Sequence, residues 1–158
     1  MIERAQHNST RSVLTLVFRA RYTTLDESVD AIEQCLPFAY RTDLTRMGIA
    51  EALANSMIHG ALRVPSQPRD EGRLEEWLAL IERAERERED EIVAVCINAH
   101  GPGIALEFSD SGPGFDWRAA PIREGRGLSI LHTVFDAVRW NEAGNTLSVH
   151  LLQPARSS

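Results

Sequence analysis

The stretch from Glu91 to Ser109 limits the fold more than any other. Glu91 to Ala99 (EIVAVCINA) and Ile104 to Ser109 (IALEFS) are apolar runs of strand length, with His100-Gly101-Pro102-Gly103 between them. Runs rich in Val and Ile, bounded by Gly and Pro, read as strands, and so short a turn joins them as an antiparallel hairpin. The second strand then breaks into Asp110-Ser111-Gly112-Pro113-Gly114-Phe115-Asp116. A carboxylate stands at the break and two glycines follow at alternate positions. Glycine is needed where φ is positive or where a ligand must reach the main chain. Taken alone, the same stretch also fits a plain surface turn.

The rest of the chain supplies helices to cover such a sheet. Residues 1–12 are polar and read as a frayed tail. In Leu14 to Tyr22 (LTLVFRARY) apolar and polar positions alternate, a strand pattern. Thr24-Leu25-Asp26-Glu27 fits a capping box, followed by Val29, Ile32 and Leu36 on one helical face and Pro37 as a stop. Thr42 or Asp43 caps a second helix reaching about Gly60, with Leu44, Met47, Ala50, Ala54, Met57 and Ile58 expected on its buried side. Val64 to Gly72 holds two prolines and reads as a loop. Leu74, Trp77, Leu78 and Ile81 then mark an amphipathic helix, which runs into the mixed-charge stretch Glu82 to Asp90. Its Trp77 stripe packs either on the body of the domain or on a partner. Leu128 to Phe135 is an apolar helix. Ala137 to Asn141 and Leu147 to Leu152 form a second hairpin around Glu142-Ala143-Gly144-Asn145, and 154–158 is a flexible tail. The sum is an α/β two-layer sandwich in one domain, 13–153. Its sheet is expected to be mixed but mostly antiparallel, with helices on one face.

Composition removes several functions. All seventeen basic residues are Arg and none is Lys. A P-loop needs a Lys on the phosphates and a Schiff-base nucleophile needs one outright, so both are excluded. A net charge of −6 argues against direct nucleic-acid binding. With no apolar run for a membrane span and no signal peptide, the chain is expected in the cytoplasm. Cys35 and Cys96 lack metal-ligand spacing and read as buried thiols.

Two more stretches carry chemistry. Glu51, Asn55 and His59 recur every four residues along the second helix, on one stripe at the rim of its apolar face. Gly48, one turn earlier, weakens the helix by about 1 kcal/mol and suggests a close approach. Gly125-Arg126-Gly127-Leu128 opens the apolar helix, where free N–H groups and the positive dipole end suit a phosphate. The plain alternatives are a solvated helix edge and a flexible cap.

Read jointly, Glu51-x-x-x-Asn55-x-x-x-His59-Gly60, Asp110-x-Gly112-x-Gly114-Phe115 and Gly125-x-Gly127-Leu128 resemble the three nucleotide-binding boxes of the GHKL (Bergerat-fold, histidine kinase-like) ATPase superfamily. The short loop from Phe115 to Gly125, the strand and helix ahead of Glu51, and the stretch Gly127 to Val138 followed by Gly144-Asn145-Thr146 are most similar to the bacterial anti-sigma-factor serine kinases. The resemblance implies MgATP as ligand. Asp110 would accept from the adenine amino group, aided by Thr146. Asn55 would place its side-chain oxygen on Mg²⁺. His59, Gly112, Gly114, Phe115, Gly125, Arg126, Gly127 and Leu128 would complete the nucleotide site, and Glu51 would be the general base. It further implies phosphorylation of a serine on an antagonist (anti-anti-sigma) protein and capture of a sigma factor or other regulator, with a homodimer among the assemblies it allows. A non-catalytic, ATP-gated protein-binding module is the alternative. The chain departs from the family by a helical insertion at about 61–90, which puts the usual partner and dimer surfaces in question.

Overall fold

The computed structural model describes residues 5–8, 11–99, 102–119 and 127–153. Six strands form one sheet: β1 Ala5–Asn8, β2 Arg11–Arg19, β3 Ile92–Asn98, β4 Ile104–Asp110, β5 Ala137–Trp140 and β6 Thr146–Leu151, in the order β1-β2-β3-β4-β6-β5. Both expected hairpins are present, as β3 with β4 and β5 with β6. Every pairing is antiparallel, so the sheet is not mixed. The helices between β2 and β3 bring the chain back to the end of the sheet it left, whereas the connection from β4 to β5 passes over β6, so β5 runs parallel to β4 without pairing with it. β1 falls in the stretch expected to be a frayed tail. It pairs with β2 from Ala5↔Leu14 to Asn8↔Arg11 and covers backbone groups that β2 would otherwise leave as an edge.

Strand alternation gives the sheet one apolar face. Leu16, Val95, Phe108 and Leu147 lie in register across β2, β3, β4 and β6, and all are buried. Ile97, Leu106 and Val149 form the next buried row. Between them, Ala94, Cys96 and Ala105 are half-buried and Glu107 is exposed. The helices meet the buried rows: α1 Leu25–Gln34 through Val29 and Ile32, α2 Asp43–Ala54 through Ile49 and Leu53, and α4 Leu74–Glu87 through Trp77 and Ile81. The helix α5 Gly127–Val134 adds Leu131 and Val134. This is the two-layer α/β sandwich that the alternating strands and amphipathic helices call for.

Local details correct several expectations. The capping box at Thr24 does not form. Tyr22–Thr24 is a 3₁₀ turn, the Thr24 hydroxyl donates to the Arg21 carbonyl, and Ser28 Oγ donates to the Thr24 carbonyl at 2.9 Å. Thr42 does cap α2, its Oγ1 accepting from the Thr45 N–H at 3.1 Å. The fully buried positions of α2 are Thr45, Gly48, Ile49, Ala52 and Leu53; of the expected stripe, Met57 and Ile58 are buried, Leu44, Ala50 and Ala54 pack half-buried on the core, and Met47 is exposed. In α4 the buried positions are Trp77, Ile81 and Ala84, while Leu74 and Leu78 face outward. The Trp77 stripe therefore packs within the domain, with the Tyr22 ring edge-on at 5.8 Å.

Candidate functional site

Strand parity aims the carboxylate that ends β4. Phe18, Val93 and Asp110 continue the rows that face the helices, so Asp110 points into the helical layer. There it meets Gly60. A Cβ on Gly60 would overlap the Asp110 carboxylate, and one on Gly112 would overlap the Gly60 carbonyl. Glycine is thus required at both positions for the helix end and the turn to close on each other. The Gly112 N–H donates to Asp110 Oδ1 at 2.8 Å. Burial nevertheless pushes the Asp110 pKa up to about 6, with Glu91 adding repulsion and the Gly112 bond opposing.

Helix α2 does not run on to Gly60 as a regular helix. Asn55–Ala61 is a π-helical turn, in which the Leu62 N–H reaches the Met57 carbonyl at 2.9 Å, five residues back. A wider turn rotates less per residue, so Asn55 and His59 come nearer to one side than α-helical spacing allows. Such turns are rare and recur at functional sites. His59 Nδ1–H donates to the Val64 carbonyl at 2.6 Å, tying the turn to the segment that follows. Burial lowers the His59 pKa more than this bond raises it, so the ring is held neutral.

These groups open on one cavity of about 450 Å³. Glu51, Asn55, His59 and Asp110 line it, as do Gly114, Phe115, Gly127, Leu128 and Thr146. Gly112 lies just behind, bonded to Asp110. Gly125 and Arg126 lie outside the described residues. The two ends of the cavity differ. At one end Asp110 abuts Gly60. At the other, a Cβ on Gly127 would overlap Glu51 Oε1, so the start of α5 rests against the Glu51 carboxylate. Burial raises the Glu51 pKa, and Arg69 works against that rise. Gly48 does not admit a ligand. A Cβ there would meet Val134 and Phe135 at 2.6 and 2.9 Å, so its role is the close packing of α2 on α5.

The wall near Asp110 is made by two interlocked turns. Gly114 and Gly144 both have positive φ (76° and 77°), and a Cβ on either would overlap the backbone of the other turn. Asn141 Oδ1 accepts from the N–H groups of Gly144, Asn145 and Thr146 at 2.8, 3.0 and 3.2 Å, fixing the β5–β6 turn. Asn145 holds the other turn, its Nδ2 donating to the Gly112 carbonyl at 3.3 Å. Thr146 lines the cavity, but its hydroxyl sits 3.2 Å from that of Ser109, off the face that carries Asp110. Phe115 and Trp140 meet edge to face at 5.7 Å on the same wall.

Sequence reasoning missed Ser66, Arg69, Asp70 and Trp140, which also line the cavity. Ser66, Arg69 and Asp70 come from the expected loop, where α3 Gln67–Asp70 forms a single turn. Four residues are too few to show a period, and Trp140 ends a strand with no motif around it.

Residues 74–151, just under half of the chain, match the family model described as histidine kinase-like ATPase domain. No curated protein matches the chain. The family match takes in Asp110, Gly112, Gly114, Phe115, Gly127, Leu128 and Thr146. Glu51, Asn55 and His59 precede it and join the site through the fold. Match and architecture together support an ATP-binding domain of the histidine kinase-like type.

Proposed function

We propose that the chain is a protein serine kinase of the anti-sigma type. It would bind MgATP, phosphorylate a serine on a small antagonist protein, and hold a sigma factor or similar regulator according to the state of that antagonist. One observation carries the reading: two carboxylates with different surroundings mark the ends of one cavity. Gly60 abuts Asp110 and Gly127 abuts Glu51. Glu51 and Gly60 are nine positions apart along α2 and the π turn that continues it, at most about 13 Å because the π turn rises less per residue than the α-helix. That span suits a base, a sugar and phosphates laid end to end.

The Asp110 end offers an acceptor at the back of an aromatic and glycine-lined wall, which suits the amino group of adenine. At the other end the N-terminal N–H groups of α5 face anionic oxygens. Asn55, the first residue of the π turn, lies between Glu51 and Gly60. Among the described residues no group of three or more His, Cys, Asp or Glu could hold a metal ion. A single amide oxygen fits Mg²⁺ held chiefly by nucleotide phosphates and water. Bound there, the ion would offset phosphate charge during transfer.

Glu51 acts as the base. The serine Oγ forms a bond to the γ-phosphorus, the bond from that phosphorus to the β,γ-bridging oxygen breaks, and ADP leaves. The serine proton passes to the Glu51 carboxylate. A carboxylate whose pKa is raised by burial is a better proton acceptor than an exposed one. Glu51→Gln is expected to bind MgATP within about threefold of wild type by calorimetry while phosphate transfer to a cognate antagonist is lost, as removal of a general base implies. Transfer at the wild-type rate would exclude Glu51 as base. A wild-type protein that transfers nothing but changes its affinity for a regulator with ATP would be the gated module instead.

A further inference from the structure

We propose that Trp140, at the end of β5, is the platform on which the base of the nucleotide lies, with Phe115 set across the edge of that base. The inference rests on the reading of the cavity as a nucleotide site. Strand register places the indole. Trp140 pairs with Leu147 on β6, and Leu147 with Phe108 on β4, so all three stand on the face that meets the helices. Asp110 is two residues beyond Phe108 on that same face. Trp140 is thus two strands across from Asp110 and one side-chain row back, about 12 Å between Cα atoms at ordinary sheet spacings. Leu147, on the strand between them, is buried and forms part of the cavity floor. A planar ring laid over that floor reaches Asp110 with its polar edge and the indole with its flank.

Trp140 and Phe115 both line the cavity, and their rings stand at 87° with centroids 5.7 Å apart, so they make a corner. A base stacked on one ring presents its edge to the other, and both arrangements are favourable between aromatic rings. The corner is braced. Trp117, which is not among the described residues lining the cavity, stacks on Trp140 at 6.3 Å with 22° between the planes. Its Nε1–H donates to the Asn141 carbonyl at 2.9 Å, and the Arg118 guanidinium carbon lies 4.3 Å over its ring. The side chain of the same Asn141 fixes the β5–β6 turn, so the brace and the wall beside Asp110 share one anchor. Trp140 is half-buried, and part of its open surface faces the cavity. A base laid there covers apolar indole surface that otherwise faces water. The contact reads the face of a ring. It is therefore indifferent to the number of phosphates, and Trp140 sets affinity for the nucleoside while Asp110 sets which purine is accepted.

The test follows indole emission and calorimetric affinity as the full chain is titrated with MgATP and with MgADP. The chain has three Trp, at 77, 117 and 140. Nucleotide is expected to change the emission of wild type and of Trp117→Phe, and most of that change is expected to be lost in Trp140→Phe. Trp140→Phe keeps an aromatic face and is expected to bind both nucleotides within about threefold of wild type. Trp140→Ala is expected to weaken both by the same factor, about fivefold to a hundredfold, the range for stacking of a base on an aromatic side chain. Should Trp140→Ala fail to fold, the emission of Trp140→Phe decides. In a chain that binds both nucleotides, an emission change undiminished in Trp140→Phe, or affinities unchanged in Trp140→Ala, would overturn the assignment of Trp140 alone. A wild-type protein that binds no adenine nucleotide would overturn the nucleotide site and the assignment together.

Discussion

Replacing Asp110 by Asn separates what this carboxylate contributes to the fold from what it contributes to the ligand. Asn keeps the size of the side chain and an oxygen for the Gly112 N–H, which now reaches Asp110 Oδ1 at 2.8 Å. It removes a charge held in a poorly solvated place. Burial lifts the pKa of Asp110 from an ordinary 3.8 to about 6. At full strength that gap corresponds to about 3 kcal/mol of cost to the folded state. The group is partly open to water, and screening reduces the expected cost to about 1 kcal/mol. The folded form binds the proton more tightly than the unfolded form. Wild type therefore gains stability as pH falls from about 6 towards 4, and bears the whole cost above about 6. In the absence of nucleotide, Asp110→Asn is expected to melt about 3 °C above wild type at pH 8, with the difference fading below pH 4. Scanning calorimetry across that range reads it directly. The same variant is expected to bind ATP at least tenfold more weakly at pH 8, as loss of a hydrogen bond to a charged group implies. A variant that melts below wild type at pH 8, or a difference that does not change with pH, would refute the reasoning.

Three other substitutions test the packing around the site. Gly60→Ala places a methyl group on the Asp110 carboxylate. It is expected to destabilise the domain by about 1–3 kcal/mol in chemical denaturation and to weaken ATP binding more than any change of equal size on α4. Trp77→Ala empties a buried site between α4, Tyr22 and Arg69 and is expected to cost about 3–5 kcal/mol. Leu78→Ser, on the exposed side of the same helix, is expected to change stability by no more than about 0.5 kcal/mol.

The two hairpins and the apolar face of the sheet were legible because strand alternation and Gly-rich turns leave plain marks in sequence. The recurrence of Glu51, Asn55 and His59 was legible for the same reason, as were the glycines at 112, 114 and 127. The centre of the buried side of α2 was read about one position off because two of its inward positions, Thr45 and Gly48, carry no apolar mark. Thr45 satisfies its hydroxyl by accepting from Thr42 Oγ1 at 3.0 Å, and Gly48 is buried to let α5 approach. The π turn escaped because one wide turn leaves no repeat to count. Arg69 escaped because its place depends on a contact with Trp77 that is remote from any motif. β1 escaped because four residues are too few to show an alternation.

Position within the sheet sets what a protein docking at its margin can reach. Among the described residues β1 is the outermost strand on its side, and β2 and β3 separate it from β4. At ordinary strand spacing the carboxylate-bearing strand lies about 14 Å inward. A chain that added itself to β1 by main-chain pairing would touch none of the groups that enclose the cavity. Docking and chemistry could then be altered independently, so that a change of associate at the rim need not disturb the interior.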